Sequence, residues 1–203
     1  YDGAITDLFG YFDTARTVYD RHEGLREQNK HRYLNRHNIW EKSFNADGSP
    51  IPYASRQAKP VVYYMNRDWP SRDDDPVLHD TAMKVADDWD AVFLGMVNEL
   101  GAKIPAGGRM FTLCHNPVQD TDGGECGKRG LAPRLGDIRY SFMAYVPDYM
   151  TYGLLGLGPS NTDPETGEIY SGMGYVYHHN DTAAWDVTQM IELLNGTLAA
   201  DQF

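Results

Sequence analysis

The run Val61–Met65, dense in β-branched and aromatic residues and bounded by Pro60 and Asn66, leads into a long helical pattern. This succession constrains the fold more than any other feature. Asp75 precedes Pro76, placing an acidic N-cap ahead of the residue best suited to a first helical position. Leu78, Ala82, Val85, Trp89, Val92, Met96 and Leu100 then recur at steps of three and four, which predicts one apolar helical face, and Gly101 closes the pattern. A buried strand and a helix of this length hide their apolar surfaces together only by packing in layers.

More strands follow. Residues 110–114 predict a short one. From Asp137, residues Ile138, Tyr140, Phe142, Ala144 and Val146 alternate with Arg139, Ser141, Met143 and Tyr145, the pattern of a strand with one buried face. Pro159, Pro164 and Gly167 punctuate a sharp loop between two further candidates, 152–157 and Glu168–Tyr177. Asn180 or Asp181 can cap a last helix that puts Ala184, Val187, Ile191 and Leu194 on one face, with Gly196 at its end. The expected fold class is α+β, a twisted mixed sheet packed on one long amphipathic helix. Residues 1–58 keep no sustained period. Short helical stretches such as 14–20 alternate there with Arg- and Asn-rich segments, and 45–50 is a strong turn. They are expected to form an extended N-terminal arm wrapping a domain of residues 59–203. Phe9, Tyr11, Phe12, Tyr19, Tyr33, Trp40, Phe44 and Tyr53 would anchor it.

The formal charge of −11 repels nucleic-acid backbones and anionic membranes, so neither is expected as the main partner. The acidic stretch 68–90, with Asp68, Asp73, Asp74, Asp75, Asp80, Asp87, Asp88 and Asp90, reads as a solvated helix face or as a cation or partner site. No apolar run is long enough to span a bilayer. The sequence starts at Tyr1 without a leader pattern and ends shortly after a helical one, which suggests a processed or proteolytic piece of something longer.

Cys114 and Cys126 flank a loop rich in turn residues. They can close a disulfide, contributing about 3 kcal/mol on loop entropy, or remain two thiols. A catalytic zinc site draws two ligands from histidines one helical turn apart, as in His-Glu-x-x-His. His22, His31, His37, His79 and His115 form no such pair. His178 and His179 are adjacent, so their side chains diverge. Cys114 beside His115 could read as a nucleophile and its base, although a half-cystine suits it better. Asp120, Asp122 and Glu125, or Asp163, Glu165 and Glu168, could hold calcium, against ordinary turn chemistry. The sequons at Asn180 and Asn195 decide nothing, and no phosphate loop or serine elbow is present.

Three sets of residues together resemble a known family. They are Gly158-Pro159-Ser160 with Asp163-Pro164 and Thr166-Gly167-Glu168-Ile169; Pro60 to Met65 leading through Trp69-Pro70 to a helix with Ala86 and Trp89; and 137–146. In this respect the chain is similar to the N-terminal part of large secreted bacterial zincin metallopeptidases, in which such a loop comes shortly before the His-Glu-x-x-His helix. The resemblance implies a zincin-like upper subdomain, a Cys114–Cys126 disulfide and an extracytoplasmic location. It also implies that Ser171, Gly172, Met173, Gly174 and Tyr175 form an edge strand receiving a peptide substrate, with Gly172 and Gly174 allowing close approach. Zinc and the general-base glutamate belong to the complete protein, in a later segment that would be the partner of this one, so this piece alone is expected to be inactive.

Two functional classes follow. The first is a fragment of a secreted zinc metallopeptidase supplying the sheet and the substrate-side strand. The second is a catalytically inactive surface or assembly module that binds neighbouring proteins through its edge strand and tyrosine-rich arm. A calcium-stabilised carbohydrate or peptide binder is a third, weaker reading.

Overall fold

A computed structural model describes residues 8, 10–26, 29–148, 156–178 and 180–199. The arm opens with β1 (Asp13–Thr17), paired antiparallel with β2 (Lys30–Leu34) as a separate ribbon. The helical expectation for 14–20 is therefore corrected. Thr14 and Thr17 are β-branched, and Asp13 reaches Arg32 across the ribbon at 3.0 Å, pairings that a lone helical turn could not offer. β3 (Arg36–His37) then joins the main sheet. Of the arm's aromatics, Trp40 packs beside Ala58, Val97 and Met110, whereas Tyr11, Phe12, Tyr19 and Phe44 are exposed.

The rest follows the order β4 (Val61–Met65), α1 (Pro76–Glu99), β5 (Phe111–Cys114), β6 (Ser141–Val146), β7 (Gly156–Leu157), β8 (Ser160–Thr162), β9 (Glu168–Tyr177) and α2 (Asn180–Leu194). The fold is mixed α/β. Strands β5, β4, β6 and β9 lie side by side and are mutually parallel, β3 runs parallel to the start of β9, and β7 and β8 run antiparallel to it. Of the expected strand 152–157, residues 152–155 lie outside the described residues.

Alternation along the central strands sends side chains to two cores. Val61, Met65, Phe111, Leu113 and Tyr145 pack towards α1 with Trp69, Ala82 and Ala86. Tyr64, Cys114 and Phe142 point the other way, where Val118 and Cys126 of the long β5–β6 connection cover them. Strand β6 is thus buried on both faces, contrary to the one-sided expectation, and the solvent-exposed Ile138 lies outside it. Central parallel strands need cover on both sides.

Helix α1 starts as expected, with Asp75 Oδ1 accepting from Leu78 N at 2.9 Å, but it buries a different face. His79, Ala82, Ala86, Asp90 and Val97 point inwards, while Val85, Trp89, Val92 and Met96 face outwards, Val92 being 63% exposed. Asp90 sets this rotation. Its Oδ1 accepts the N–H groups of Met110 and Phe111 at 2.6 and 3.0 Å, and the small Ala82 and Ala86 let the helix approach the sheet. In α2, Val187, Ile191 and Leu194 are likewise exposed.

Candidate functional site

Ligands of sheets such as this one gather outside the carboxyl ends of the parallel strands. Here the ends of β4 and β5, the β4–α1 loop and the first turn of α1 enclose a cleft of about 520 Å³, lined by Asn66, Trp69, Arg72, His79, His115 and Asn116 among others.

Each lining group is placed by its local chain. Asn66 follows β4 directly and completes the β4–β6 ladder with its side chain: Nδ2 donates to Tyr145 O at 2.8 Å, and Oδ1 accepts from Tyr145 N at 2.9 Å. Tyr145 in turn packs edge-on against Trp69 and places its Oη 2.6 Å from His178 Nδ1. Arg72 reaches from the loop to Asp80, with Nε 2.9 Å from Oδ1 and Nη2 2.9 Å from Oδ2. This guanidinium, followed by the His79 ring, holds the Asp80 carboxyl below its ordinary range.

His79, on the inner face of α1, meets His115, just past β5. Their Nε2 atoms are 3.2 Å apart and the rings nearly parallel. Asp122 fixes His115 from behind. Its Oδ1 lies 2.7 Å from His115 Nδ1, and its Oδ2 accepts from Gln119 N at 2.7 Å. The disulfide between Cys114 and Cys126, whose Cα atoms are 5.7 Å apart, ties the end of β5 to the connection carrying Asp122. Sequence spacing gave no sign of this histidine pair, since the two are separated by 36 positions and meet only through the parallel β4–α1–β5 path.

The segment expected to receive a substrate is not at the border of the sheet. Tyr175 and Val176 pair with Ala144 and Tyr145 of β6 on one border and with Leu157 and Gly156 on the other. Gly172 and Ser171 pair with Ser160 and Asn161, and Met173 N donates to Pro159 O at 2.9 Å. Ser171, Gly172, Met173, Gly174 and Tyr175 are therefore interior to the sheet, and the edge-strand expectation for them is corrected. Gly158-Pro159 looked like loop in the sequence, yet β7 and β8 keep one register across it and take the border themselves.

The two candidate calcium clusters are not assembled. Asp120 pairs with Arg129, Glu125 accepts from Thr112 Oγ1, and Asp163 caps the turn at Glu165 and Thr166. Among the described residues no group of three or more histidine, cysteine, aspartate or glutamate side chains is placed to hold a metal ion. Nor is any described helix long and apolar enough to cross a membrane. No family model, curated protein or solved structure matches this chain.

Proposed function

We propose that this chain is the sheet-bearing part of an extracytoplasmic zincin-like metallopeptidase, inactive by itself, which presents an extended peptide to a catalytic segment carried elsewhere. The observation that carries this reading is the border formed by β7 and β8: one antiparallel strand edging an otherwise parallel sheet, with no further strand paired beyond it among the described residues and only the Thr14 hydroxyl of β1 reaching its far end at Thr162. Pro159 O is engaged inwards by Met173 N. Alternation along an antiparallel ladder then turns the amides of Gly158 and Ser160 outwards, where an extended peptide adds as the next strand. Leu157 is half exposed beside them. The disulfide supports a location outside the reducing cytosol.

Amide hydrogen exchange tests the reading. A pool of extended, proline-free peptides should slow exchange at Gly158 and Ser160, backbone N-methylated versions should not, and the isolated chain should leave the peptides uncut. Unchanged exchange at both amides with every peptide overturns it.

The assembly-module reading is favoured by one separate observation, the outward stripe of Val85, Trp89, Val92 and Met96 on α1. A stable stoichiometric complex that is lost on Trp89→Glu, with peptide binding unaffected, would select it.

A further inference from the structure

We propose that His79 and His115 bind a divalent transition-metal ion between their Nε2 atoms, at a site distinct from the zinc that the family resemblance assigns to a separate helix. The chemistry begins at the far side of each ring. His115 Nδ1 lies 2.7 Å from Asp122 Oδ1, so that nitrogen carries hydrogen and donates it to the carboxylate. The Asp122 side chain is only 4% exposed and is held by Gln119 N, which fixes this tautomer. His79 Nδ1 faces Asp80 Oδ1 at 3.3 Å, and Arg72 holds that carboxylate in turn.

With Nδ1 hydrogens directed at both carboxylates, each ring presents a bare lone pair at Nε2, whereas the other tautomer of His79 would donate its Nε2–H to His115. The two Nε2 atoms stand 3.2 Å apart. In the first arrangement they repel unless a positive species lies between them, either one additional proton or a metal cation. The spacing suits a cation, since two nitrogen ligands at about 2.0 Å from a tetrahedral ion lie roughly 3.3 Å from each other. A carboxylate behind the imidazole is also the usual support of a metal-ligating histidine, because it orients the ring and raises its basicity.

Two unpartnered polar groups line the same cleft. Asn116, the residue after His115, lines the same cleft, and its Oδ1 is buried without a hydrogen-bond partner. Trp69, 8% exposed and lining the cleft as well, has an indole N–H without a partner, a donor suited to metal-bound water or hydroxide. Two imidazole nitrogens, completed by an amide oxygen or water, would select zinc, cobalt, nickel or copper over magnesium or calcium. The inference rests on none of the peptide-binding geometry at the β7–β8 border.

The test uses the whole chain stripped of metal with a chelator and titrated with cobalt(II). One equivalent should bind, with visible d–d absorption, and zinc(II) should displace it. His79→Ala and His115→Ala should each weaken cobalt binding at least 100-fold, Asp122→Asn by about 10- to 100-fold, and the exposed His22→Ala not at all. Circular dichroism confirms that each variant is folded. Should a variant fail to fold, the unmodified chain still decides: the ¹⁵N resonances of Nε2 in His79 and His115 must shift on adding zinc. Absence of stoichiometric cobalt binding, binding retained in both histidine variants, or unmoved Nε2 resonances overturns the proposal and leaves a hydrogen bond between the two rings as their contact.

Discussion

Gly172 lies so close to Tyr63 that a Cβ at residue 172 would fall 2.0 Å from Tyr63 Oη and 2.9 Å from its Cζ. The glycine that the family resemblance set aside for a substrate's approach therefore serves an interior one. It makes room in β9 for a tyrosine reaching across from β4, whose hydroxyl lies 3.2 Å from His37 Nε2.

Gly172→Ala should accordingly destabilise the fold by overpacking, by about 1–3 kcal/mol. Tyr63→Phe removes the nearest clashing atom, so the double variant should recover part of that loss. Urea midpoints of the two single variants and the double variant form the cycle that checks this, and strict additivity would show that the contact is not made.

The His37–Tyr63 contact predicts how stability depends on pH. Burial lowers the pKa of His37 from 6.5, so below that value the unfolded chain binds this proton more readily than the folded one. Its contribution is complete above about pH 6.5 and is lost as pH falls towards the depressed value. Burial also pushes Tyr63 from 10.0 up to about 12, against a smaller opposing effect from Ser141. That contribution is complete below pH 10 and is lost between 10 and 12, at about 1.4 kcal/mol per unit. Urea unfolding across the pH range should show both limbs, with His37→Gln flattening the acid one and Tyr63→Phe the alkaline one.

Reducing the disulfide should cost about 3 kcal/mol, the loop-closure value for a loop of this size. It should also loosen the cleft, because Tyr64 Oη donates to Cys126 O at 2.9 Å and Cys114 immediately precedes His115. Unfolding with and without a phosphine reductant measures the first effect. Faster amide exchange at His115 and Gln119 reports the second.

Strand β4 and both ends of α1 were legible because local signals specify them: a β-branched run between Pro60 and Asn66, an Asp-Pro start and a Gly101 stop. The rotation of α1 was not. Periodicity counts Trp89 and Val92 as core and Asp90 as surface, and only the tertiary bond from Asp90 to the Met110 and Phe111 amides reverses that. Strand order was hidden for a related reason. Glycines in Glu168–Tyr177 mark a close approach without saying from which side, and Gly158-Pro159 reads as a break although the register continues through it. The histidine pair was invisible because its members join only once β4 and β5 lie parallel.

Asn66 gives a sharper test of how the cleft is built. Its side chain replaces a peptide group at the end of β4, satisfying both the N–H and the C=O of buried Tyr145. Asn66→Ala removes both partners at once, and each buried group left unsatisfied costs about 1–3 kcal/mol. A total loss of about 2–4 kcal/mol is expected after partial relaxation. Asn66→Asp keeps the acceptor for Tyr145 N but sets a carboxylate against Tyr145 O, so it should be no better than alanine at neutral pH and should improve as the acid protonates. Because Tyr145 also carries the contacts to Trp69 and His178, both variants should shift the indole fluorescence of Trp69. An alanine variant with wild-type stability and an unshifted spectrum would show that solvent, rather than Asn66, completes the ladder between β4 and β6.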